Sequence, residues 1–258
     1  MKPSSSLKSL LGGLMLLAAP SALADSAANI ALFDSKIATA RTSTSPSGAT
    51  VTRAEMVGAL DAFDRDSWVD TTERAHLSTK VGNATFLTGV AADAKKYLND
   101  FYELNDAETY ASPLGMNAVS GTPAQLYGAS GALASASRIK EGYIPYGQGV
   151  ANQVTLTETY GWTFGSSYDY PYFFEPITQA ELIAKLQART AYGTPSAAEV
   201  SGAVAYITQI SQNSQRLYVS SWRSMGRGGP GESAGFVVAA VSTDRRFVRM
   251  VEVLTWAE

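Results

Sequence analysis

The feature that most constrains this chain is its C-terminal stretch, which reads as a run of β-strands joined by short links. Arg216 to Trp222 is one strand, Gly235 to Ser242 a second and Phe247 to Trp256 a third. Ser242-Thr243-Asp244-Arg245-Arg246 supplies the turn between the last two. A turn this short joins antiparallel neighbours, because a parallel pair needs a long crossover. In the last strand Val248, Met250, Glu252 and Leu254 alternate with Phe247, Arg249, Val251, Val253 and Thr255. One face is mostly apolar and the other mixed, so the strand is expected to be covered on both sides. The connector Gly226-Arg227-Gly228-Gly229-Pro230-Gly231-Glu232 leads from strand to strand. A phosphate-binding loop would lead into a helix N-terminus, so a hairpin loop is expected instead.

The other end of the chain has a helical period. Thr52-Arg53-Ala54-Glu55 is a capping box, in which a hydroxyl and a carboxylate satisfy each other's backbone donors. Met56, Ala59, Leu60 and Phe63 follow at helical spacing. Asp70-Thr71-Thr72-Glu73 is a second box, opening a helix with His76 and Leu77. A third helix is expected from about Thr88 to Leu104, striped by Val90, Ala94, Tyr97, Leu98 and Phe101. Short helices of this kind form a small bundle. The acids of Asp64 to Glu73 resemble a calcium loop in flavour. They lack its twelve-residue length and its central glycine, so they read as a turn with capping acids.

Residues 1–24 have the three parts of an export signal. Lys2 and Lys8 precede the apolar run Leu10 to Ala18, and Ala22-Leu23-Ala24 is a small-x-small cleavage site. The expected location is periplasmic or secreted, with cleavage after Ala24. Removing Lys2 and Lys8, and no acid, takes the formal net charge from −3 to about −5. That balance disfavours direct nucleic-acid binding, which needs a basic face. The apolar run is too short to span a membrane. With no cysteine, disulfides, thiol catalysis and thiolate metal sites are excluded. With one histidine, His76, a Ser-His-Asp triad must use it, and it lies within a helical pattern. The sequence points to no catalytic residue, no cofactor and no metal ligand set.

Between the two ends, residues 106–150 are rich in Gly, Ala and Ser and read as a connector, partly packed through Tyr127, Leu133 and Ile139. Val154 to Phe164 has the β-branched, aromatic character of a strand. Thr178 caps a helix containing Leu182, Ile183 and Leu186. Thr194-Pro195 opens another, with Val200, Val204 and Ile207. The domains are therefore expected at 25–105 and 151–258, in an α+β fold whose helical bundle precedes a mostly antiparallel sheet.

The densest aromatic run is Trp162 to Pro176, W-T-F-G-S-S-Y-D-Y-P-Y-F-F-E-P. Pro171 holds Tyr170 out of the helical region and cannot donate to a ladder. Two readings fit: a buried loop whose rings plug the end of a sheet, or a binding surface. A segment of this kind, with Phe164, Ser166, Asp169, Tyr170 and Pro171, resembles the S-E-S-[DE]-Y-P motif of the nuclease A inhibitor-like family. Leu217 to Val219 resembles a family strand. The strand from Ala234-Gly235 to Ser242-Thr243 resembles its closing strand. The resemblance covers about residues 150–243. It implies an α/β/α sandwich and a non-catalytic protein that binds or inhibits a secreted metal-dependent nuclease. The partner-binding residues it implies are Ser166, Ser167, Tyr168, Asp169, Tyr170, Pro171 and Thr243, with Glu175 beside them. The sequence departs from the family at the metal-reaching glutamate, whose position falls on Ser167. Two alternatives stay open: a hydrolase of the cell envelope using Asp169 and Glu175 as an acid/base pair, and an envelope structural or interaction protein.

Overall fold

A computed structural model describes residues 15–63, 69–106, 116–164, 173–211, 215–224 and 231–258, with the backbone alone for 15–24 and 116–118. The chain divides into two compact units, Met1–Tyr102 and Glu103–Glu258.

The first unit holds α1 (Met15–Ala40), α2 (Arg53–Leu60), α3 (Thr71–Val81), α4 (Ala84–Leu87) and most of α5 (Ala92–Asn105). Both capping boxes form. The Thr52 side chain accepts from Glu55 N–H, and Asp70 accepts from Thr72 and Glu73 N–H. Glu73 Oε1 also accepts from Asn29 of α1 at 2.9 Å, and Ser26 donates to Asp70. The acids flagged as calcium-like at Asp70 and Glu73 are thus occupied in tying α1 to α3, while residues 64–68 lie outside the described residues. Phe33, Met56, Leu60, Phe63, Leu77 and Leu98 fill the core. Each side chain of this size taken out of water contributes about 1.5–3 kcal/mol. His76 Nε2 lies 3.2 Å from Asp34 Oδ1, and its ring meets Phe33 edge-on. The third helix starts at Ala92 rather than Thr88 because Val51 and Val90 pair in a short bridge. Its bonds run from Val51 N–H to the Gly89 carbonyl and from Ala91 N–H to the Val51 carbonyl.

The second unit is α+β. Its elements are β1 (Met116–Ala118), α6 (Pro123–Tyr127), α7 (Ala132–Ala136), β2 (Ser137–Tyr143), α8 (Gln153–Thr163) and β3 (Glu175–Pro176). There follow α9 (Gln179–Gln187), α10 (Ala197–Thr208), a 3-10 turn (Gln209–Ser211), β4 (Arg216–Ser224), β5 (Ser233–Val241) and β6 (Phe247–Ala257). The strands form one sheet in the order β1-β2-β6-β5-β4-β3, with every neighbouring pair antiparallel. Successive side chains on a strand point to opposite faces, and here both faces are covered. Leu217, Val219, Val238, Val251 and Val253 pack with Leu182, Leu186, Val204 and Ile207 of α9 and α10. Tyr218, Trp222, Val237, Val248 and Met250 pack with Leu156 and Tyr160 of α8. The layers are α/β/α. Among the described residues no helix is long and apolar enough to cross a membrane.

The stretch expected to connect two domains, 106–150, supplies β1, α6, α7 and β2 to this unit. The expected strand Val154–Phe164 is instead α8. Asn152 caps it by accepting from Thr155 N–H at 2.9 Å. Its buried residues, Thr155, Leu156, Thr159 and Tyr160, recur at helical spacing, and Leu156 and Tyr160 pack against the sheet. Burial of that stripe outweighs the few tenths of a kcal/mol per residue by which β-branched residues disfavour a helix. The helix expected from Thr194-Pro195 starts at Ala197, because Ser196 and Glu199 form the capping box.

Candidate functional site

The sequence-predicted site divides into parts. Ser166, Ser167, Tyr168, Asp169, Tyr170 and Pro171 lie outside the described residues. The residues on either side of them are fixed. Phe164 is the C-cap of α8, and its carbonyl accepts from Arg138 Nη2 at 3.0 Å. Phe174 is buried, and its N–H and carbonyl both bond to the side chain of Gln153, the first residue of α8. Residues 164 and 174 are therefore held at opposite ends of α8. Trp162, on the last turn of α8, is 77% exposed. Glu175 is exposed on the edge strand β3, opposite Val219. Thr243 lies in the turn between β5 and β6, where its carbonyl accepts from Arg216 Nη1 at 3.4 Å.

A second constellation, which the sequence did not single out, sits at the opposite end of β4 from Thr243, about 25 Å away along the strand. There β2 and β5 begin, and β4 and β6 approach their ends. A cavity of about 310 Å³ opens among them. On its floor is Glu252 of β6, a carboxylate 3% exposed. Arg138 of β2 stands directly across the ladder from it, and Arg138 Nε donates to Glu252 Oε2. Tyr160 of α8 donates its hydroxyl to Glu252 Oε1 at 2.8 Å. Both carboxylate oxygens thus have a donor, as a buried charge requires. The Arg138 guanidinium lies 5.5 Å from the centre of the Phe164 ring, and that ring stacks on Tyr160.

The walls are Trp222, Leu254 and Ala136, with hydroxyls from Ser135, Ser224 and Ser233. Tyr192, 61% exposed, also lines it. Its turn is held against β6 by a bond from Ala191 N–H to the Leu254 carbonyl. Trp222 is 6% exposed, and its Nε1 has no hydrogen-bond partner among the described residues. Gly235 lies close against this indole: a Cβ there would stand 2.7 Å from Trp222 Cζ2.

The signal that could have pointed to this cavity is a charged residue inside an apolar strand, Glu252 between Val251 and Val253. Its partners Arg138 and Tyr160 are 114 and 92 residues away in the chain, and no local pattern links them. The first unit also has a groove, lined by Lys36, Thr39, Glu55 and Gly58. Its polar groups serve each other: Glu55 accepts from Ser45, Ser47 and Thr52, and Lys36 donates to the Gly58 carbonyl. Among the described residues no group of three or more Asp, Glu or His is placed to hold a metal ion.

No family model, no curated protein and no solved structure matches this chain.

Proposed function

We propose that the chain is an exported, non-catalytic binding protein that engages a protein partner through Ser166–Pro171 and the residues beside it. The observation that carries the proposal is the exposure of Trp162, 77%, on the turn of α8 that leads into this segment. Large aromatic side chains with a polar handle are the residues that anchor interfaces. An exposed carboxylate, Glu175, follows the segment on its other side. The nuclease A inhibitor-like resemblance makes a secreted metal-dependent nuclease the partner to test. The α/β/α layering is compatible with it. The export signal puts the protein in the periplasm or outside the cell, where such nucleases act. A serine hydroxyl at position 167 cannot give a hard cation the anionic oxygen it prefers. In this proposal Asp169 or Glu175 takes that part.

The chain from Asp25 onward, titrated against a non-specific metal-dependent endonuclease with DNA degradation as the readout, is expected to inhibit stoichiometrically. Asp169→Ala or Tyr170→Ala should abolish inhibition without changing the melting temperature. Trp162→Ala should weaken it by about tenfold or more, roughly 1.4 kcal/mol. Full nuclease activity at micromolar excess of the protein would remove the nuclease as partner. Inhibition untouched in all three variants would remove this segment as the surface.

A further inference from the structure

We propose that the cavity around Arg138, Glu252 and Tyr192 is a binding site for a single neutral sugar ring. The inference is independent of the protein-partner proposal above.

The cavity is at the small end of the range for small-molecule sites, so it suits one ring rather than a chain of them. Its chemistry narrows the class. A bare anion needs a cation that is not already matched. Arg138 is matched by Glu252 directly across the ladder. A hydrocarbon chain would strip water from the hydroxyls of Ser135, Ser224 and Ser233 and offer no hydrogen bond in return. A hydroxylated neutral ring meets both conditions. Each of its hydroxyls donates and accepts, as do the three serines. Arg138 supplies donors and Glu252 acceptors with lone pairs to spare, and hydrogen bonds to charged groups are the stronger kind. The apolar face of a sugar ring packs on aromatic rings, and Tyr192, 61% exposed, lines the space with Trp222 behind it.

The test uses the whole chain and five probes: glucose, galactose and N-acetylglucosamine, with glucuronate as the charged control and hexanoate as the apolar one. Binding is read by calorimetry and by saturation transfer from protein to ligand protons. At least one neutral sugar is expected to saturate, with neither control doing so. Ser135 is exposed, and Ser135→Phe should fill the cavity and weaken binding at least tenfold. Tyr192→Ala, at an exposed position, should weaken it several-fold with an unchanged urea midpoint. Should Ser135→Phe fail to fold, Tyr192→Ala decides. The proposal is overturned if no neutral sugar saturates, if glucuronate or hexanoate binds instead, or if the folded variants bind as the wild type does.

Discussion

At the scale of single residues, Gly235 shows how one missing side chain shapes the sheet. It sits at a register shift between β5 and β6. A methyl group there would meet the Val253 carbonyl oxygen at 2.0 Å and the Trp222 indole at 2.7 Å. The oxygen belongs to the neighbouring strand's backbone and cannot rotate away, so the strand must move. Gly235→Ala is expected to destabilise the protein by about 1–3 kcal/mol, the usual cost of overpacking. Urea denaturation monitored by circular dichroism measures it, and a midpoint equal to that of the wild type would contradict the account. Gly235 was visible in the sequence as the start of a strand. The need for a glycine there was not, since it arises from the Val253 carbonyl and the Trp222 indole, which only strand pairing brings against it.

At the scale of elements, helix starts were the most legible feature. Thr52, Asp70 and Thr178 cap helices where the pattern T/D-x-x-E predicts. The cap of α2 makes a pH prediction. The Ser45 hydroxyl above all, with the Thr52 N–H and hydroxyl and the Ser47 hydroxyl, holds the Glu55 carboxyl down at about 2, against an ordinary 4.5. A carboxylate whose pKa is lower in the folded state stabilises the fold above its unfolded value, and that contribution fades as pH falls from 4.5 towards 2. Glu55→Gln should therefore be less stable than the wild type at pH 7, with the gap closing through this window. Denaturation midpoints of the two proteins at several pH values test it, and a gap that stays constant would sink the idea. α8 was illegible by the same local reasoning. Its valine and threonines favour a strand, and the choice of helix is made by the sheet that α8 covers.

At the scale of the whole molecule, charge and layering set what the protein can meet. Without residues 1–24 the chain carries a formal net charge of about −5, from −3 for all 258 residues. It offers no net positive field to displace counterions from DNA. In a gel-shift experiment at about 0.1 M salt, duplex DNA should migrate unchanged at micromolar protein. A retarded band that disappears with added salt would show a basic surface hidden in the average. It would also give apparent nuclease inhibition a trivial cause, substrate coating, so this control belongs beside the nuclease titration.

What the sequence determined by itself was whatever is written within a few residues: the caps, the strands β4, β5 and β6 with the alternation of β6, the turn at Ser242–Arg246 and the α+β class. Those signals are local, because a capping box closes over three residues and a strand's faces alternate every two. Only the tertiary structure decided that residues 116–118 and 137–143 join the sheet, that 153–163 is a helix, and that Arg138, Tyr160 and Glu252 surround one cavity. Each of those depends on what the segment is buried against. Burial is settled by residues about a hundred positions away, which no local pattern records.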